Sequence, residues 1–194
     1  NEDYRFDYAA ALVETQGAAA GAAEFAGGVR DFPKSWRMHL GAGCTAYLEG
    51  RYEEAVRALL EAVRLEPSAR EAYYLLGHAY ESAQSLQPEV AKAFEAYLSR
   101  KPEDPWAHYH YGTILYLRSQ SEGEKTYALA RAYLLKAVSL KPDFAEAYVQ
   151  LGMIAETDAE AVKHLERAVE LSPGLASAHY RLGLALQRLG DRER

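Results

Sequence analysis

Gly50-Arg51-Tyr52-Glu53-Glu54-Ala55, followed by Leu59, Ala62, Leu65 and Pro67, is the stretch on which the fold turns. A glycine-led turn opens it, small and large apolar residues then recur three or four apart, as on one face of a helix, and a proline closes it. The same face returns downstream as Ala130, Leu134, Ala137 and Leu140, and again as Ala161, Leu165, Ala168 and Leu171. Beyond each closing proline lies another helix start, rich in good helix formers: residues 68–76, 143–151 and 174–182. Pro33, Pro67, Pro102, Pro142 and Pro173 are each followed ten residues later by a glycine, namely Gly43, Gly77, Gly112, Gly152 and Gly183. The distance from each glycine to the next proline runs 24, 25, 30 and 21, whereas the ten-residue step never slips. The chain is therefore an array of one two-helix unit, with a first helix after each proline and a second helix before the next.

A glycine two turns into a helix costs about 1 kcal/mol of propensity. Its recurrence predicts that the second helix of each pair crosses the first too closely for a side chain. The variable spacing then belongs to the turn inside each pair, which is expected to be solvent-exposed. Start signals for the second helices are Gly50 to Tyr52, Pro88 in a first turn, and two capping boxes, Ser121 with Glu124 and Thr157 with Glu160. Residues 118–125 form a polar insertion, expected to be a mobile loop.

Composition narrows the function. A net charge of -6 and a pI near 5.6, with acids and bases interleaved, argue against a nucleic-acid partner, which requires a concentrated basic patch. No run reaches the 18 or more apolar residues of a membrane span. Cys44 is the only cysteine, so no internal disulfide forms. The start at Asn1 without methionine implies that a tag, a signal peptide or a longer N-terminal region has been removed, which leaves the compartment open between cytoplasm and periplasm or secretion. The six histidines are spread over different helices, and His108 and His110, two apart, point in different directions, so no metal site is expected. Neither a nucleophile signature around Cys44 nor a phosphate-binding glycine loop is present. Glu53-Glu54 and Glu122 with Glu124 read as solvated acids. No enzyme and no cofactor are expected.

These features resemble the tetratricopeptide repeat, a helix-turn-helix of about 34 residues. The match is best from Gly43 to Pro67 and extends over essentially the whole chain. The resemblance implies an all-α, right-handed superhelical α-solenoid of antiparallel helix pairs. Repeats would span 36–69, 70–104, 105–144 with an extended internal turn, and 145–175 in shortened form. Residues 1–35 would be a degenerate first pair, its helices weakened by Gly17, Gly21, Gly27 and Gly28, and 176–194 a capping helix or a truncated repeat with a turn beginning near Leu189. Val90 and Tyr97 depart from the pattern, replacing the two small residues of the second helix in 70–104.

In this family the first helices line a concave wall. Carried over place by place, the peptide-binding lining would be Leu40, Cys44 and Tyr47; Tyr74, His78 and Glu81; Trp106, Tyr109, Thr113 and Tyr116; Val149, Met153 and Glu156; Tyr180, Leu184 and Gln187. Its middle is aromatic, and aromatics with a polar edge suit recognition. Tyr74, Tyr109 and Tyr180 serve equally well as filling between neighbouring first helices, and His78 is either a hydrogen-bonding group or a packed imidazole. Trp106, next to Pro105 at a helix start, reads as a surface anchor. The carboxylate clamp by which some members hold acidic chaperone tails is absent: Asn1 is the only asparagine, and Leu40 and Cys44 stand where a lysine and an asparagine are needed. The expected role is a scaffold or adaptor for a protein or peptide partner. The alternatives are self-assembly into a homo-oligomer by end-to-end or dimeric packing, and a regulatory segment of a larger protein.

Overall fold

The computed structural model describes residues 1–192, with no strand among them. Contacts divide the chain into two compact units, residues 1–102 and residues 103 onward. The first holds α1 (Glu2–Gln16), α2 (Ala18–Asp31), α3 (Trp36–Leu48), α4 (Tyr52–Leu65), α5 (Arg70–Ala79) and α6 (Gln87–Arg100), with a 3-10 turn over Gln84–Leu86. The second holds α7 (Pro105–Glu122), α8 (Glu124–Leu140), α9 (Ala145–Met153), α10 (Asp158–Leu171) and α11 (Ala176–Arg192). Within each unit helices pack in chain order, and first helices of successive pairs also touch: α1 with α3, α3 with α5, and α9 with α11.

The recurrent glycines explain the packing. A Cβ at Gly43 would stand 2.6 Å from Leu59 Cγ, one at Gly112 2.9 Å from Leu134 Cγ and 3.1 Å from the Ala130 carbonyl, and one at Gly152 2.5 Å from Leu165 Cγ. These approaches are closer than a side chain tolerates, so each second helix rests its leucine on bare backbone of the first. Leu59, Leu134 and Leu165 are fully buried, with Ala55, Ala62, Ala130, Ala137 and Ala168 beside them. Gly183 breaks the series: nothing lies within 4 Å of a Cβ there. The expectation of a close crossing at every glycine fails at α11, which packs on α10 through Ala178 and Ala185 and leaves Gly183 facing open space among the described residues.

Three further expectations need correction. The glycines of the first pair do not weaken it, since α2 is continuous and Gly21 and Gly28 face the Ala9 carbonyl and the Met38 side chain, where a Cβ would clash. The stretch 118–125 is not a loop. α7 runs through Glu122, Gly123 turns at φ 85°, and α8 starts at Glu124, so the extra length of this pair lengthens both helices. A φ in the left-handed region is natural for glycine, and Arg118 Nε donates to Glu122 at 2.8 Å across the last turn of α7. Ser121 consequently caps nothing, its hydroxyl donating to the Arg118 carbonyl within α7. Thr157 does cap α10, accepting from Glu160 N, whereas the Glu160 carboxylate returns to Glu156 N, one residue beyond the cap. Finally, α11 continues through Arg192, placing Leu189 and Gly190 in helix, while Glu193 and Arg194 lie outside the described residues.

Opposite outcomes are expected from one substitution at two repeat glycines. Gly152→Ala forces Leu165 aside and lowers the denaturant midpoint, an overpacking loss of about 1–3 kcal/mol. Gly183→Ala meets open space and raises it by about 1 kcal/mol through helix propensity.

Candidate functional site

In the first unit, Leu40, Cys44 and Tyr47 follow one another along a face of α3, each half-buried. Tyr47 meets Tyr52 edge-on at 5.6 Å between ring centroids. Burial pushes the Cys44 thiol pKa up, which keeps it in the unreactive thiol form. On α5 two adjacent tyrosines part ways because helical geometry turns them about 100° from each other. Tyr73 is buried against Phe94 and Tyr97, with centroids at 5.6 and 4.2 Å, whereas Tyr74 is 45% exposed and rests on His78 at 4.5 Å. Large Tyr97 thus fills with Tyr73 the space that small residues leave to backbone contact elsewhere. His78 is exposed at its surface, and desolvation lowers its imidazole pKa. Glu81, expected on the helix, lies beyond the end of α5, because α5 stops at Ala79.

In the second unit, Trp106, Tyr109, Thr113 and Tyr116 of α7 are all half-buried. Asp104 caps α7, its carboxylate accepting from Trp106 N at 2.9 Å. The indole packs on Phe144 at 4.2 Å with the Lys141 ammonium 5.0 Å above it, and Tyr109 meets Phe144 at 5.0 Å. Trp106 is therefore half-buried at the joint between α8 and α9 rather than a free surface anchor, with Tyr109 and His110 also against its ring. Thr113 donates to the Tyr109 carbonyl at 3.0 Å. Tyr116 sits 6.3 Å from Tyr127, whose hydroxyl donates to the Ile154 carbonyl and whose pKa burial raises.

On α9 the expected lining is corrected at two places. Val149 is 6% exposed and packs with Val162, Leu165 and Ala178 in the core of α9, α10 and α11, because a nine-residue helix held between two neighbours has little free face. Glu156 is exposed but lies in the turn after α9. Met153 is half-buried. On α11, Tyr180 is 69% exposed, with Leu184 and Gln187 exposed one and two turns on.

Two features escaped the sequence. A charged network joins α8 to α10: Arg131 pairs with Glu160 and, at 4.0 Å, with Glu156, while His164 Nε2 lies 3.6 Å from Glu160. Burial pushes the Glu160 carboxyl up, but the Glu156 amide and the Arg131 guanidinium outweigh it and hold the pKa below the ordinary value. Burial also lowers the His164 imidazole, partly opposed by Glu160. Arg131 and Glu160 stand 29 residues apart in the chain, a separation that leaves no periodic signal, which is why the sequence was silent. The second feature is a cleft of about 260 Å³ between α2, α3 and α4, walled by Ala22, Ala26, Val29, Ala42 and Ala58 with Arg51, Glu54 and His39 at its edge. Its walls come from three helices, so no local pattern in the sequence marks it. Among the described residues, no three His, Cys, Asp or Glu side chains are placed to hold a metal, and no helix is long and apolar enough to cross a membrane.

Because His164 and His78 have folded pKa values below the unfolded one, the neutral imidazole is favoured by folding. Their contribution is whole above about pH 6.5 and is lost as the pH falls through the folded values. The unfolding free energy should decline between pH 7 and 5, and His164→Gln should flatten part of that slope in urea titrations at stepped pH. Cys44 should react with iodoacetamide at pH 8 more slowly than free cysteine, reaching the free rate only in denaturant.

The sequence profile of the TPR repeat matches residues 45–84 and 158–190. No curated protein matches the chain. Among solved structures, MamA (41-end) from Desulfovibrio magneticus RS-1 is similar at 17% identity over 90% of this chain and 97% of its own, with a TM-score of 0.69. TTC0263, a thermophilic TPR protein of Thermus thermophilus, aligns at 18% identity over 96% and 100%, TM-score 0.69. YrrB, described as a TPR protein with an unusual peptide-binding site, aligns at 18% over 91% and 89%, TM-score 0.65.

Proposed function

Starting from the premise that this chain is a tetratricopeptide-repeat protein, of a family that generally serves as non-enzymatic interaction scaffolds, we propose that it is an adaptor whose first helices hold a peptide segment of a partner protein. The repeat division given above, from the degenerate pair at 1–35 to the helix from 176, belongs to this reading. In the first unit the contact surface is α3 and α5, through Leu40, Cys44, Tyr47, Tyr74 and His78. In the second it is α7, α9 and α11, through Trp106, Tyr109, Tyr116, Met153, Tyr180 and Leu184.

One observation carries the proposal: Tyr74 and Tyr180 hold large rings out to water at lining places, although each helix has core places that bury apolar side chains completely. A ring left exposed on a rigid helix presents apolar area and a hydroxyl at small entropy cost, as recognition surfaces do. The likeness to YrrB, whose description names a peptide-binding site, agrees with a peptide ligand. Peptides selected from a random display library on the immobilised chain should bind tenfold or more weakly to Tyr74→Ala or Tyr180→Ala by fluorescence anisotropy, while Tyr4→Ala leaves binding unchanged. A library that yields no binder, or binders indifferent to both substitutions, overturns it.

A second reading, assembly of copies, has its own observation. Tyr4 and Tyr8 stack at 6.4 Å on the exposed face of α1. Light scattering over a concentration series distinguishes the two, a strict monomer removing assembly.

A further inference from the structure

The second helices share a register, so their outward places can be compared. Take the residue just before the first core residue of each helix, then those three and six after it. On α6 these are Glu89, Lys92 and Glu95; on α10, Glu160, Lys163 and Glu166; on α4, Glu54 and Arg57, then Leu60. On α8 they are Leu129, Ala132 and Leu135. Of these four helices, α8 alone carries apolar residues at all three places, two of them leucine.

Among the described residues of this unit, none covers them fully. α8 buries Ala130, Leu134 and Ala137 against its own unit, yet Leu129 is 53% and Leu135 39% exposed, and Ala128 and Ala132 are exposed between them. Two exposed leucines on one helix face present apolar area that a partner would remove from water. The charge around them is one-sided. In a chain of net charge -6, residues 124–141 carry Lys125, Arg131, Lys136 and Lys141 against the single acid Glu124. Arg131 is engaged by Glu160 and Glu156, and Lys136 lies 3.6 Å from the exposed Glu103.

We propose that this face of α8 is a docking surface for an amphipathic helix of a partner protein, with leucine or alanine along one side and acidic residues flanking it. The apolar side covers Leu129, Ala132 and Leu135, and the acids meet the lysines at the two ends of α8. A second copy of this chain is the wrong occupant, because α8 against α8 opposes like charges. The surface is distinct from the lining of the first helices, so either proposal can fail alone.

The test uses the whole chain and a fluorescein-labelled 18-residue helical peptide carrying leucine and alanine on one face and glutamate on its flanks. Saturable binding is expected by anisotropy, weakened at least tenfold by Leu129→Glu with Leu135→Glu and unchanged by Tyr74→Ala with Tyr180→Ala. Glu is what three sister helices carry at the place of Leu129, so the double variant folds, as its circular dichroism will report. Absence of saturable binding, equal binding of a lysine-flanked version, a dimer in sedimentation that the double variant abolishes, or co-pelleting with phosphatidylserine vesicles in place of peptide binding would each overturn the proposal.

Discussion

A leucine side chain seated on bare backbone is the constraint on which the fold depends. At Gly43, Gly112 and Gly152 the second helix comes so near that its leucine occupies the space of the missing Cβ. The helix loses about 1 kcal/mol of propensity at each glycine and recovers more through a leucine buried without a cavity. The contact also fixes register. A shift of either helix by one residue would drive a neighbouring side chain into the gap, so each seat sets both spacing and phase. Since every helix touches only its near neighbours in the chain, the seats, repeated, are enough to define the architecture of each unit.

The sequence revealed this architecture because its signal is local and recurrent. Pro33 to Gly43 and its four echoes lie ten residues apart, and such a step depends only on one helix and the turn before it. Where contact partners lie outside that window the reading failed. The polar composition of 118–125 looked like loop, yet charge on an exposed helix is indistinguishable from charge on a loop, and the Arg118–Glu122 pair one turn apart favours helix. Gly21 and Gly28 looked like weakness because the groups that need their space, Val13 and the Ala9 carbonyl for one and Met38 for the other, belong to neighbouring helices.

The lining was legible as a set of places and less so as a set of exposures. A place on a first helix tells which way a side chain leaves the backbone, whereas its exposure depends on what the next pair brings over it. Val149 vanishes beneath α10 and α11, Trp106 leans on Phe144, and Tyr74 and Tyr180 remain open to water. The proposed recognition uses the few lining places that later helices leave uncovered. The apolar face of α8 was equally present in the sequence, and became visible only when the second helices were set in common register.

The hairpin of α7 and α8 turns on a single residue, Gly123, and its helices of 18 and 17 residues stand against 9 and 14 in the pair that follows. The seat at Gly112 and Leu134 lies well below that tip. Two arms that grow together from their free end keep every contact beneath them in place, so this architecture can acquire reach the way a ladder gains rungs. Added length becomes a stiff projection of about 1.5 Å per residue in each arm, with no slack to be ordered when something grips it.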